Sequence, residues 1–147
     1  MNYFLGLEVT YLDKGIVLSQ RKFTHELLHS SNITNFKTVI TPLPLNLKLH
    51  SNDSPLLPDP TTYRSLIGKL NFLTHTRPDL SFTVQTLSQY MQRPTESHYQ
   101  ALVHTLNYVA TTSGQGILLK GSDHLQLKAY SDSDWGACLD KRRSVTG

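Results

Sequence analysis

Helical periodicity between residues 61 and 109 constrains the fold of this 147-residue chain more than any other feature. Three segments of this block carry apolar residues at the three- and four-residue intervals that place them on one face of a helix. Their apolar positions are Tyr63, Leu66, Ile67, Leu70 and Leu73, then Leu80, Val84, Leu87 and Met91, then Tyr99, Leu102, Val103, Leu106 and Val109. Pro78 and Pro94 separate the segments, and proline suits the first turn of a helix. We therefore predict three packed helices, the second of which runs to about Gln92.

Strand-like segments lie on both sides of this block. Residues 3–11 read as one strand, a turn at Asp13-Lys14-Gly15 follows, and residues 16–20 read as the returning strand of a hairpin. Residues 21–31 have helical spacing. Residues 116–120 and 125–131 predict a second hairpin. The predicted fold class is therefore α+β, with the helices between two separate hairpins.

A long connector joins the first helix to the helical block. Residues 32–60 contain five of the seven prolines and show little periodicity. Ordered loops of this length are uncommon in a compact domain. We therefore expect this segment to cross between subdomains.

Composition excludes several classes of protein. The net charge is +3 and the pI is about 9.0, so nucleic acid is a permitted partner, although the charge does not require one. The single cysteine, Cys138, excludes an internal disulfide framework. No apolar run reaches the roughly 18 residues of a membrane span, and the N-terminus lacks the features of a signal peptide. The expected protein is soluble and intracellular, with no membrane partner.

The segment His25-Glu26-Leu-Leu-His29 matches the pattern of zinc peptidases. On a helix the two histidines lie one turn apart and can share a zinc ion, with Glu26 as the general base. A zinc hydrolase is therefore one alternative function. The position six residues past His29 holds Asn35 rather than a third histidine ligand. An amphipathic helix that carries two solvated histidines is the favoured interpretation.

Two aspartates end the strand-like run of residues 125–135. Asp132 and Asp134 share one face of this run, opposite an apolar face. Paired carboxylates can hold a divalent metal ion for phosphoryl chemistry. Aspartates are also common at strand ends because their side chains cap turns. Spacing alone leaves both interpretations open.

Several motifs occur in a fixed order along the chain. They are Tyr3-Phe-Leu-Gly-Leu-Glu-Val9, Gly15-Ile-Val-Leu-Ser-Gln20, Tyr63-Arg-Ser-Leu-Ile-Gly-Lys-Leu70, Leu73-Thr-His-Thr-Arg-Pro-Asp-Leu80, Leu87-Ser-Gln-Tyr-Met-Gln-Arg-Pro94 and Tyr130-Ser-Asp-Ser-Asp-Trp135. Together they resemble copia-type (Ty1/copia) retrotransposon Pol polyproteins. The first two are similar to the palm hairpin of reverse transcriptase, the next three to the segment that joins it to ribonuclease H, and the last to the start of ribonuclease H.

This resemblance implies a division of the chain into incomplete domains. Residues 1–31 would be the palm-end hairpin, resembling a primer grip, and its helix; 32–60 would be the connector. Residues 61–113 would be a thumb- or connection-like helical region, and 114–147 the truncated start of a ribonuclease H-like domain. The remainder of Pol is then an expected partner.

The resemblance also implies a chemistry. Asp132 corresponds to a metal-binding catalytic residue of ribonuclease H, and Asp134 to a residue of secondary role. The parent enzyme would use Mg²⁺ to hydrolyse the RNA of an RNA–DNA hybrid. The polymerase aspartates and the remaining ribonuclease H carboxylates of the family fall outside residues 1–147. We therefore expect this chain to be catalytically inactive and to bind no Mg²⁺ tightly.

Basic side chains suggest a further alternative, a non-catalytic nucleic-acid-binding module. The candidate cations are Arg64, Lys69, Arg77, Lys141, Arg142 and Arg143. Contacts from such side chains to an RNA–DNA hybrid would be weak, independent of sequence and steeply dependent on salt. A solvated helix surface would show the same pattern of charges.

Overall fold

The computed structural model describes residues 2–4, 6–52, 54–121 and 129. Its strands are β1 (Asn2–Phe4), β2 (Leu7–Leu12), β3 (Gly15–Ser19) and β4 (Ile117–Lys120). Its α-helices are α1 (Arg21–Ser30), α2 (Thr61–Leu73), α3 (Ser81–Ser88) and α4 (Glu96–Thr111). One turn of 3₁₀ helix, Pro78–Leu80, precedes α3. The predicted α+β class is confirmed.

The four strands form one antiparallel sheet in the order β1-β2-β3-β4. Strand β4 pairs with β3, so that Ile16 lies opposite Leu119 and Val17 lies opposite Leu118. The prediction of two separate hairpins is therefore wrong. The edge of β3 offers unpaired backbone groups, and the extended segment that follows α4 satisfies them. The partner strand predicted at residues 125–131 lies outside the described residues, apart from position 129.

The predicted first strand is two strands in the structure. Gly6 has φ +82° and turns the chain, so that β1 folds back on β2. A Cβ atom at Gly6 would lie 3.0 Å from the Phe72 ring. Glycine is therefore required here for both its backbone conformation and its lack of a side chain. Reading residues 3–11 as one strand missed this turn because apolar residues flank it on both sides.

The helical core follows the predicted apolar faces closely. Its buried side chains include Tyr63, Leu66, Ile67, Leu70, Leu73, Leu80, Val84, Leu87, Leu102, Leu106 and Val109. Helix α3 ends at Ser88 rather than near Gln92. The next residues form turns, whose carbonyl groups at Met91 and Gln92 accept hydrogen bonds from Arg64. None of the described helices is both long and apolar enough to cross a membrane.

The connector of residues 32–60 has neither helix nor strand in its described part, yet it is fixed to α4. The Lys37 N–H donates to Asn107 Oδ1 at 2.9 Å, and Thr105 Oγ1 donates to the Pro42 carbonyl at 3.1 Å. Near the other end, the Glu96 N–H donates to the Pro55 carbonyl at 2.9 Å. Side chains of α4, together with backbone hydrogen bonds between residues 55–57 and 94–96, therefore hold this segment in place.

Candidate nucleic-acid interface

Five of the predicted site residues lie outside the described part of the chain. They are Asp132, Asp134, Lys141, Arg142 and Arg143. Their assignments therefore remain predictions. The three other candidate cations, Arg64, Lys69 and Arg77, are described, and each has a different environment.

Arg77 is buried, with 2% of its surface exposed. Its guanidinium donates to both carboxylate oxygens of Asp79, at 3.0 Å from Nε and 2.7 Å from Nη2. It also donates to the carbonyl and the hydroxyl of Thr112, at 3.0 and 2.8 Å. The group thus joins the start of α3 to the end of α4. Sequence position alone had suggested that Arg77 is a surface cation. Because its side chain is buried, it is not available for contact with phosphate.

Asp79 receives a further hydrogen bond from the Tyr108 hydroxyl at 3.0 Å. Burial raises the pKa of the Asp79 carboxyl, but the hydrogen bonds and charge of Arg77, with the Tyr108 hydrogen bond, outweigh burial. The pKa of Asp79 therefore lies below its ordinary value. The Arg77 guanidinium also lies 5.5 Å from the centre of the Tyr108 ring, within the range of a cation–π contact.

The lowered pKa of Asp79 predicts a specific dependence of stability on acid. Asp79 should stabilise the fold above its unfolded pKa of about 3.9, and this contribution should be lost as pH falls through the lower, folded pKa. Urea unfolding between about pH 6 and pH 2 measures it. The difference in stability between the original chain and Asp79→Asn should narrow as pH falls. A difference that stays constant over this range would contradict the assignment.

Arg64 and Lys69 are on different sides of α2. Five residues separate them, which corresponds to about 140° around the helix. Arg64 is exposed and donates to the carbonyls of Met91 and Gln92, at 2.7 and 3.1 Å. Lys69 Nζ donates to Ser30 Oγ on α1 at 2.7 Å. The structure therefore does not bring the predicted cations of α2 together, and both side chains already have partners within the protein.

The zinc-like motif lies on the exposed side of α1. His25, Glu26 and His29 are all exposed, while Leu27 is buried in the core. No group of three histidine, cysteine or acidic side chains in the described part of the chain could hold a metal ion. Within that part, a zinc site of a hydrolase would have two histidine ligands, His25 and His29, and would lack a third ligand.

A surface that sequence reasoning missed runs along α1. Arg21, His25 and His29 are exposed and follow one another at four-residue intervals. Arg21 and His25 also line a groove of about 400 Å³ with Leu28, and Ser113 and Gly114, which follow α4, line it as well. The four-residue spacing was the signal available in the sequence, but the contact with residues 113–114 depends on tertiary structure.

Known proteins match this chain over its whole length. It is 45% identical over 147 residues to the retrovirus-related Pol polyprotein from transposon RE2 of Arabidopsis thaliana and 44% identical over 147 residues to that from transposon RE1, covering all of this chain and 10% of each relative. The chain belongs to the copia-type Pol family. The Pol polyprotein from transposon TNT 1-94 of Nicotiana tabacum is 34% identical over 97% of this chain and 11% of its own length.

This copia-type Pol chain spans about a tenth of the length of these curated relatives. No protein-family model matches it, and no solved structure matches it significantly. The comparisons with known Pol polyproteins therefore establish the family.

Several carboxylates of this copia-type Pol segment have structural partners. Glu8 is 8% exposed and accepts the Lys22 N–H at 2.7 Å, which satisfies a free donor at the start of α1. Asp59 accepts the Thr61 N–H at 2.9 Å at the start of α2, and hydrogen bonds from Thr61 lower the pKa of Asp59. Asp79 holds Arg77. All three acids therefore have hydrogen-bond partners within the fold.

Proposed function

We propose that this chain is the region of a copia-type Pol protein that links reverse transcriptase to ribonuclease H, and that its described part binds an RNA–DNA hybrid without acting on it chemically. The observation that carries the proposal is the match to Pol polyproteins over all 147 residues. In such a region the sheet and the helical core serve as a scaffold, and exposed cations supply contacts to phosphate.

Three of the described carboxylates have internal partners, which supports a binding role rather than a catalytic role for this part of the chain. Glu8 and Asp59 accept backbone N–H groups in the first turns of α1 and α2, and Asp79 forms an ion pair with Arg77. Asp132 remains the proposed metal-binding carboxylate of ribonuclease H, with Asp134 in a secondary role. Mg²⁺ requires near-octahedral oxygen ligation, and two carboxylates leave most of those positions to water. The isolated chain is therefore expected to hold the metal weakly.

A cleavage assay tests this part of the proposal. The full chain, incubated with an RNA–DNA hybrid in Mg²⁺ or Mn²⁺, should release no RNA fragments. The matched control is Asp132→Asn, which should behave identically. Cleavage by the original chain that disappears in Asp132→Asn would show that the chain is an active nuclease and would overturn the proposal.

Fluorescence anisotropy with a labelled RNA–DNA hybrid tests the binding role. We expect weak binding that does not depend on sequence and that falls steeply between about 50 and 200 mM salt, since binding releases counterions from phosphate. Two hybrids of unrelated sequence should give the same affinity. Affinity that is undetectable even at low salt would contradict the proposed role.

A free-standing nucleic-acid-binding module is the second candidate function, and the exposed cations of α1 favour it equally. Both functions predict the same titration curve. They differ in whether the chain can work inside a complete Pol protein. Replacing the corresponding segment of such a protein with this chain tests that difference.

A further inference from the structure

We propose that the exposed face of α1 binds consecutive phosphates of one nucleic-acid strand, with Arg21 and His25 as ligands of the first phosphate and His29 as a ligand of the next. Here this surface is called the α1 stripe, and it consists of Arg21, His25 and His29. The inference rests on the proposed binding function and adds which residues make the contact.

The geometry of the α1 stripe suits a charged polymer. Residues four apart lie on the same face of a helix and are separated by about 6 Å along its axis. The three side chains therefore form a row about 12 Å long on the exposed surface. A row of evenly spaced donors can follow a strand from one phosphate to the next, whereas an isolated cation contacts a single phosphate.

The groove beside the stripe supplies the chemistry of a phosphate site. The guanidinium of Arg21 can donate two parallel hydrogen bonds to phosphate oxygens, and the His25 imidazole can donate a third. The hydroxyl of Ser113, which also lines the groove, is a further donor, and a Cβ at Gly114 would meet no atom within 4 Å, so the space beside Gly114 is open. Leu28 gives the groove an apolar floor against which a sugar can pack.

The side chains of the stripe are available to a ligand. Within the described part of the chain, the side chains of Arg21, His25 and His29 make no hydrogen bond or ion pair to the protein. By contrast, Arg77 is buried, and Arg64 already donates to carbonyl groups. Of these cationic surfaces, the stripe is the one that can bind an external anion without first breaking an internal contact.

Charged groups near the stripe come from α1 itself and from neighbouring elements. Glu26 is exposed on the same helix, and the buried Glu8 lies at the start of that helix, where it accepts the Lys22 N–H. From α2, Lys69 reaches α1 at Ser30, and from the end of α4 only the uncharged Ser113 and Gly114 line the groove.

Hybrid binding by the full chain and its variants tests the α1 stripe. At low salt, Arg21→Ala should weaken binding about tenfold and reduce the slope of the logarithmic salt plot by about one. The double variant His25→Ala/His29→Ala, which removes both imidazole donors, should also weaken binding. His25→Lys, which supplies an ammonium donor at the same position, should retain affinity, an outcome that a purely structural role would not produce.

Arg93→Ala is the matched control, because Arg93 is an exposed arginine in the turn before α4, at the opposite end of that helix from the groove. It should change hybrid affinity less than twofold. Circular dichroism should show the same fold in all variants, since every substituted side chain is exposed.

The possible outcomes separate the two proposals. If the unsubstituted chain does not bind the hybrid, the proposed binding function fails. If it binds, but Arg21→Ala and Arg93→Ala weaken binding equally, only the α1 stripe is overturned. An acidic peptide that binds as tightly as the hybrid, with the same loss in Arg21→Ala, would assign the groove to a protein partner and would also overturn the inference.

Discussion

Arg77→Ala is expected to lower the free energy of unfolding by about 3 kcal/mol. Removing one partner of a buried ion pair typically costs about 3–5 kcal/mol, because the other partner keeps an uncompensated charge. The lower end of this range applies, because 35% of the Asp79 side chain is exposed and water can solvate part of the charge. The carbonyl and the hydroxyl of Thr112 would lose a donor in the same substitution. Urea unfolding followed by circular dichroism measures the loss.

Two variants make this result specific to Arg77. Arg77→Lys should recover part of the stability, because an ammonium group keeps the charge but cannot reproduce the paired hydrogen bonds of a guanidinium. Arg93→Ala removes an exposed arginine and should change stability by less than about 0.5 kcal/mol. An Arg77→Ala chain that is fully stable, but that binds nucleic acid more weakly, would show that Arg77 belongs to the interface instead.

Gly15→Ala is expected to destabilise the chain by about 3 kcal/mol and to separate β4 from β3. Gly15 has φ +141°, and a Cβ atom at this position would lie 2.0 Å from the carbonyl oxygen of Leu119. The new methyl group would therefore meet the backbone of β4, which cannot move away without breaking the pairing of Gly15 with Lys120. Amide exchange should become faster in β4 and β3, while protection of the helical core should be retained.

Gly68→Ala is the matched control for Gly15→Ala. Gly68 is exposed on α2, and a Cβ atom there would meet no atom within 4 Å. Because alanine favours a helix by about 1 kcal/mol over glycine, this variant should be slightly more stable than the original chain. Equal stability of Gly15→Ala and the original chain would contradict the pairing of β3 with β4.

The helices could be predicted because the spacing of apolar residues that defines each helix lies within a short stretch of sequence. Residues such as Tyr63, Leu70 and Leu102 repeat at helical spacing, and all three are buried where the pattern placed them. Proline at positions 78 and 94 marked the breaks between helices. The pairing of β4 with β3 could not be predicted in this way, because it joins residues about a hundred positions apart and depends on how the helices return the chain to the sheet.

The candidate interface was harder to predict than the core. Sequence gives the charge of a residue, but not the partners that neutralise it. Arg77 follows a helix as a surface cation would, yet tertiary packing places it between Asp79 and Thr112. His25 and His29 match the pattern of a zinc site, whereas Arg21, four residues before His25 on the same exposed face, belongs to none of the sequence motifs. The groove next to Arg21 exists only because the turn after α4 packs there.

Replacement of the corresponding segment in an active copia-type Pol protein tests the proposed function most directly. The chimera that carries this 147-residue chain should retain RNA-directed DNA synthesis, and the same chimera with Gly15→Ala should lose most of it at the same protein level. Activity that is absent from the chimera, although the protein accumulates and is folded, would contradict the assignment of this chain to the reverse transcriptase and ribonuclease H region.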